Sequence, residues 1–416
     1  MNFTSEALNM AIRAMKKVGL TEALDNRCNY EAFNFVTWFD FNNRDIELSI
    51  QLVEGNKEFL HIKRIIWFIP DFDNPFWGGI HTILRFASYF KEKWNIQNCF
   101  VLVGDVSERR IRNNISLAFS NLRDEEICIL KGECDLDRVK EADISICTLW
   151  TTAFFSLKFN KVKRKFYFIQ DYEPLFYPAS SSSALVEETY RFGFYGIANT
   201  ISLKEIYEEY YGGKSEYFTP SVDLNVFYPS KTEVGKDKLM VFFYGRPGHP
   251  RNGFELGISA LKILKAKMGD QVRIVTAGSS WSPKEYGVEG IIENLGLLKY
   301  KETAELYRQC DAGLVMMFTR HPSYLPLEFM ACGCPVVTNY NPATTWLLHD
   351  NDNCLLTRAS ASCISDRLYT CLTNEDLRNH IVQKGLETVH DLNGWNAEIE
   401  KIFDYMSGGC CREPEQ

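Results

Sequence analysis

The sequence predicts an α/β protein made of two successive parallel-sheet domains. Three observations carry that expectation: two series of short apolar runs alternating with helical periods, a break in the pattern over Asp223 to Lys238, and a length of 416 residues. Single hydrophobic cores stop growing near about 250–300 residues, so a chain of this length is expected to divide.

The first series comprises Ile65–Ile69, Cys99–Val103, Ile127–Leu130, Ile144–Leu149 and Phe166–Ile169, with helical stretches such as Ile80–Phe90 between them. Unbroken apolar runs bounded by turn residues are the pattern of strands buried on both faces. The second series is Leu239–Tyr244, Val272–Ala277, Gly313–Met317 and Pro335–Thr338, alternating with helices over Phe254–Ala266 and Lys301–Gln309. Two Rossmann-like domains follow, over 63–228 and 229–390, with their parallel sheets facing across a cleft. Residues 1–62 form a helical and irregular extension, and 391–416 a C-terminal helix and polar tail. Within the extension, Leu8, Ala11, Met15 and Val18 share one face of a helix over 5–18. Packing on the protein's own core is its first reading, and peripheral attachment to a membrane surface the second. Asp45–Val53 reads as a strand. Ser180 to Ser183 reads as no more than a short turn.

Composition narrows the function. With 45% hydrophobic and 24% charged residues the chain is an ordinary globular one. A net charge of −8 and the lack of a basic stripe argue against nucleic acid, whose binding requires clustered Lys and Arg. Residues 1–20 lack the apolar stretch of a signal peptide, and the longest uncharged apolar run, Ile144 to Leu157, is shorter than the ~18 residues of a membrane span. The expected location is the cytosol, with the inner face of the membrane as the alternative. Thirteen cysteines are expected to be reduced, and neither Cys332-Gly333-Cys334 nor Cys410-Cys411 has the spacing of a zinc site.

Four segments carry candidate chemistry. Arg320 to Val337 reads as a loop, a short helix from about Pro326, a turn at Gly333 and a buried strand. The helix N-terminus then points into Ser323 and Tyr324, where free amides suit phosphate, and Glu328 lies one turn further in, placed to accept from sugar hydroxyls. Ile69 to His81 leaves the first strand through Gly78-Gly79, which lets a substrate approach the backbone. Gln170, Asp171 and Glu173 follow another strand, where a carboxylate can orient or deprotonate a hydroxyl; Asp171 is the favoured one and Glu173, before Pro174, reads as a turn residue. Arg246 and Arg251 lie five apart on the bent loop Gly245 to Asn252, so both guanidinium groups can converge on one diphosphate, with His249 incidental between them.

Leu327-Glu328-Phe329-Met330-Ala331-Cys332-Gly333-Cys334-Pro335-Val336 resembles the C-terminal signature of GT-B glycosyltransferases, especially glycosyltransferase family 4. His321 to Glu328 and Gln170 to Pro174 resemble the bacterial rhamnosyltransferases of surface polysaccharide synthesis. Arg320 stands where family 4 commonly has its first glutamate. The resemblance implies transfer of a sugar from a nucleoside diphosphate sugar, best guess L-rhamnose on dTDP, to a glycan or lipid-linked glycan, with retention of configuration. It assigns catalysis to Asp171, Arg246 and Glu328. Donor binding falls to Gly245, Arg246, Arg251, Lys299, Ser323, Tyr324, Leu327 and Glu328, and acceptor binding to Gly78, Gly79, His81 and Asp171. The nucleotide sugar is a co-substrate and no cofactor or metal is expected. Two rivals stand beside this reading: an inactive nucleotide-sugar-binding module, on account of Arg320, and a metal-dependent transferase using Asp71 and Asp73.

Overall fold

The computed structural model describes residue 33, residues 35–229 and residues 237–408. The helix expected over 5–18 and Cys410-Cys411 lie outside the described residues, as does most of the charged stretch after Tyr228. The first sheet holds β1 (Arg64–Phe68), β2 (Gln97–Val103), β3 (Glu126–Leu130), β4 (Ile144–Cys147), β5 (Arg164–Ile169), β6 (Tyr195–Asn199) and β7 (Ser215–Phe218). The second holds β8 (Leu239–Tyr244), β9 (Val272–Ala277), β10 (Glu293–Asn294), β11 (Ala312–Val315), β12 (Val336–Asn339) and β13 (Leu355–Thr357). Every strand pairing is parallel, in the orders β3-β2-β1-β4-β5-β6-β7 and β10-β9-β8-β11-β12-β13. This is the two-domain α/β architecture that the apolar runs predict. It has four strands more than those runs mark, β6, β7, β10 and β13.

Asp45–Val53 is not a strand but part of helix α1 (Asn43–Glu54). Asn42 accepts from the Arg44 and Asp45 amides while Asp45 accepts from the Asn42 amide, a reciprocal cap that satisfies the first-turn donors. Ser49 and Val53, one turn apart, face inward. Ser180 to Ser183 is likewise a helix start, since Ser180 and Ser183 cap each other at the head of α5, introduced below.

The connections put helices on both faces of each sheet: α2 (Gly78–Trp94), α3 (Glu108–Ala118), α4 (Trp150–Lys158), α5 (Ser181–Glu188) and α6 (Ile201–Tyr211) in the first domain. In the second are α7 (Phe254–Met268), α8 (Tyr300–Tyr307), α9 (Leu325–Ala331), α10 (Ala361–Thr373) and α11 (Glu375–His390). The last helix, α12 (Gly394–Ser407), returns to the first domain. Its Ile399, Ile402, Tyr405 and Met406 join the core that contains Ile65, Trp67 and Phe100, and Phe403 stacks on Trp94 at 3.8 Å. Arg164, 1% exposed on β5, fixes this return. Its guanidinium donates to the carbonyls of Met406 (2.8 Å) and Ser407 (3.0 Å) at the end of α12, to Asn56 O (2.9 Å), and to Glu58 O. Cations suit helix C-termini because the last carbonyls there have no intrahelical partner.

Arg164→Met keeps much of the volume and removes the guanidinium donors from the carbonyls of Met406, Asn56 and Glu58, while the Ser407 carbonyl keeps the Leu60 amide at 2.7 Å. A loss of about 3 kcal/mol is expected in urea unfolding followed by circular dichroism, since each unsatisfied buried acceptor costs about 1–3 kcal/mol and water recovers part of it.

Candidate active site

Ligands of doubly wound sheets bind beyond the carboxyl ends of the strands, where the strand order reverses. The reversals lie beside β1 in one sheet and β8 in the other, and both open on one cleft of about 390 Å³ between the domains. Gly78, Gly79, Thr148 and Leu149 line it from the segments after β1 and β4; Tyr244, Arg246 and Met317 line it from those after β8 and β11. The volume suits a small-molecule site.

The first domain's wall is built on the end of β5. Asp171, 6% exposed, accepts from the Tyr172 amide (2.8 Å) and, across the cleft, from the Thr319 hydroxyl (2.9 Å); Arg251 Nη1 lies 3.9 Å away. Burial pushes its carboxyl up to about 6, against the pull of Arg251 and the two hydrogen bonds. Glu173 is not the turn residue that the sequence indicates. It is buried, accepts from the Trp150 amide (2.6 Å) and the Tyr167 hydroxyl (3.0 Å), and burial raises it to about 8. Gln170 lies against Gly79, and its Oε1 is buried without a partner among the described residues.

The second domain's wall is cationic. Arg246 and Arg251 both line the cleft, and no carboxylate lies within ion-pair distance of Arg246 among the described residues. His249, expected to be incidental, sits with Nε2 2.5 Å from Arg246 Nη2. Burial and the two arginines hold its pKa down to about 4, so the ring is a neutral acceptor that orients the guanidinium. Arg246 Nε and Asn252 Oδ1 are buried there without partners among the described residues. Native proteins pair nearly all such atoms, so unpaired ones gathered in a cleft mark groups that a ligand can satisfy.

Ser323 occupies the left-handed region at φ 58°, uncommon for a residue with a Cβ. Its amide is not free for phosphate, because it donates to His321 Nδ1 at 2.8 Å. That bond leaves the proton on Nε2 of His321, a ring kept neutral by burial, with its pKa near 3. Tyr324 reaches into the first domain: its hydroxyl is 3.1 Å from Thr82 Oγ1 and 3.0 Å from Asn199 Nδ2, and its ring lies beside Gly78. Glu328, half-buried in the same wall, has no hydrogen-bond partner among the described residues, and burial alone raises it to about 7.

The remaining expected residues fall elsewhere. Leu327 is fully buried in the core with Phe242 and Phe329, so its side chain does not meet the cleft. Lys299, 87% exposed, pairs with Glu302 at 3.5 Å at the head of α8 and is not among the lining residues. Gly245 turns toward Thr276 and Trp281. His81 lines a smaller hollow behind Tyr324, where its ring lies 5.8 Å from that of Tyr300 and burial lowers its pKa to about 4. Asp71 and Asp73 are both paired with Arg110. Residue order carries no local signal for Thr319 or Tyr300, which reach the site only through folding, and His321 stands out only as the first residue of a motif.

A cleft at the paired switch points of two parallel sheets, with two arginines on one wall and a buried carboxylate on the other, belongs to a fold of the GT-B type. Residues 71–201 match the WsaF N-terminal domain and residues 239–369 the WsaF C-terminal domain. The chain thus carries both WsaF domains, in order. Among curated proteins, the O-antigen biosynthesis protein RfbC of Myxococcus xanthus is 40% identical over 349 residues, 82% of this chain. The chain matches only 27% of RfbC. A D-inositol 3-phosphate glycosyltransferase of Paenarthrobacter aurescens is 27% identical over 161 residues, 34% of this chain and 39% of that protein. HepE of Anabaena, solved with UDP and glucose, superposes with a TM-score of 0.65 at 16% identity over 83% of this chain and all of its own. TarM gives 0.68 at 9% identity over 83% and 99%. These two likenesses are of fold.

Glu173 makes a pH-dependent contribution to stability. In the folded chain it keeps its proton up to about 8, whereas the unfolded chain releases it near the ordinary value of 4.5. The folded state therefore binds more protons between those values, and the contribution is full below 4.5 and lost as the pH rises through 8. Thermal unfolding from about pH 5 to about pH 9 should show Glu173→Gln gaining on the parent as the pH rises.

Proposed function

We propose that the protein transfers a glycosyl group from a nucleoside diphosphate sugar to a hydroxyl of a glycan or lipid-linked glycan in the synthesis of a surface polysaccharide. The observation that carries this is the pair Arg246 and Arg251, gathered on one cleft wall, Arg246 without a carboxylate at ion-pair distance among the described residues. Diphosphate is the group such a fork pair binds bidentately, and its growing charge on departure is the main electrostatic demand of the reaction. Glu328 accepts from the sugar of the donor's nucleoside, through the 3′-hydroxyl in the case of dTDP. Asp171, with a pKa near 6, takes the acceptor proton as the acceptor oxygen bonds to the anomeric carbon on the face from which the diphosphate departs and the bond to the diphosphate breaks. The donor's sugar is L-rhamnose carried on dTDP and the outcome is retention, readings that rest on the resemblance of His321 to Glu328 and Gln170 to Pro174. The surface-polysaccharide assignment leans on the name of RfbC. No helix among the described residues is long and apolar enough to cross a membrane, and the transferase is assigned to the cytosol or the inner membrane face.

Arg320 supports one other reading, a module that binds nucleotide sugar without turning it over. Release of nucleoside diphosphate from the donor, with or without acceptor, eliminates that reading.

Arg246→Ala should fold and weaken donor binding by about tenfold to a hundredfold, the worth of a charge-assisted bidentate contact of about 1.5–3 kcal/mol. Titration calorimetry with dTDP-rhamnose, UDP-glucose and GDP-mannose measures this; unchanged affinity in the folded variant refutes the diphosphate role, and stronger binding of UDP-glucose or GDP-mannose refutes the choice of donor.

Because Glu328 ionises near 7 and its carboxylate accepts more strongly than its acid, donor affinity should rise as the pH rises through about 7. Glu328→Gln should flatten that rise and lower affinity. A variant that melts earlier yet keeps the parent's affinity and pH profile would assign Glu328 to holding α9 instead.

A further inference from the structure

Trp77 is a large aromatic residue left 45% exposed on the lip of the cleft. No aromatic ring among the described residues packs against it, whereas its neighbour Phe76 is stacked on Tyr300 at 6.1 Å. The loop that carries it is tightly held. Arg110 of α3 donates to both oxygens of Asp71 (2.6 and 2.7 Å), to Asp73 and to the Phe72 carbonyl (3.0 Å). Asn114, one turn along, donates to the carbonyls of Phe72 (3.2 Å) and Asp73 (3.0 Å). Phe72 itself is buried in the core. The two aspartates thus hold the loop from which the indole projects. A loop ordered in advance loses little entropy when a ligand docks on it.

Two residues further on is Gly79. A Cβ built there would lie 3.4 Å from Gln170 Nε2, so the Gln170 amide is tucked against the start of α2. Its Oε1 is one of the buried acceptors without a partner, and it lines the same cleft. A flat apolar surface and a lone amide carbonyl therefore share one patch of the first domain, across the cleft from the arginines.

We propose that Trp77 and Gln170 form an acceptor subsite that takes a pyranose ring, the indole against the ring's C–H face and Gln170 Oε1 accepting a hydroxyl from its rim. The inference rests on the glycosyl-transfer reading and names the part of the acceptor next to the reacting hydroxyl as a saccharide. A pyranose has an apolar face and a polar edge, which match the two halves of the patch. An alkyl chain would leave the buried carbonyl unpaired. A nucleotide base belongs with the diphosphate and Glu328 on the opposite wall.

The test is titration calorimetry on Trp77→Ala, Trp77→Phe, Gln170→Met and the parent, with UDP and dTDP in one arm, methyl glycosides of glucose, mannose, galactose and rhamnose in a second, and a short-chain polyprenyl phosphate in a third. At least one glycoside should bind the parent. Trp77→Ala should weaken it about tenfold, Trp77→Phe less, and Gln170→Met by several-fold, while nucleotide affinity changes by less than about twofold. Loss of nucleotide affinity in Trp77→Ala would mean that the indole stacks on a base, and overturns the subsite. So does loss of polyprenyl phosphate binding alone, equal glycoside binding by parent and variants, or no glycoside binding at all. Failure of the parent to bind either nucleotide would count against the transfer reading instead, since the glycoside arm is read separately.

Discussion

The carboxylate of Asp171 is where the two halves of the molecule are joined at the site. It leaves the first sheet at the end of β5, takes a hydrogen bond from Thr319 of the second domain, and faces Arg251 at 3.9 Å. Tyr324 makes the reciprocal contact, reaching from the second domain to Thr82 and Asn199 of the first. Polar contacts running in opposite directions thus tie the two walls together. The cleft therefore presents Arg246, Glu328 and Gln170 to one volume, although they come from segments far apart in the chain.

The electrostatics of that volume follow from exclusion of water rather than from pairing. Three acids, Asp171, Glu173 and Glu328, are raised by burial to about 6, 8 and 7, so each sits near neutrality instead of being firmly ionised. The histidines go the other way: His249 and His321 are held neutral at about 4 and 3. The arginines are left as the fixed charges of the second wall. A wall with that sign, facing carboxyls that can gain or lose a proton, suits an anionic ligand whose partner must be deprotonated.

Much of this was legible from residue order. Long apolar runs gave β8 and β9 to the residue, because strands buried on both faces admit few polar positions. Strands of two or three residues, β10 and β13, are too short for any periodicity to register, and β7 mixes Ser215 and Glu216 with two aromatics at the sheet edge. α1 misled because Ile46, Leu48, Ile50 and Leu52 alternate with period two while the cap at Asn42 and Asp45 decides for a helix. In the site, the bent arginine loop and the acidic end of β5 were readable, since turn residues after a strand announce themselves. Leu327 and Lys299 were not: the same motif can point a side chain at core, solvent or ligand, and only packing chooses. The capture of the Ser323 amide by His321 likewise depends on one left-handed residue, which no spacing reveals.

The return of α12 to the first domain has a consequence for synthesis. A ribosome delivers a chain from its N-terminus, and domains generally fold in the order they emerge. Here the first sheet cannot bury Ile65, Trp67 and Phe100 beneath their full cover until Ile399, Ile402 and Met406 have been translated, nor can Arg164 find the carbonyls of Met406 and Ser407. The second domain, whose strands all lie between residues 239 and 357, closes its own sheet before that moment. The half made first is thus finished last, and the nascent first domain keeps a groove open for the whole time that its neighbour is being made.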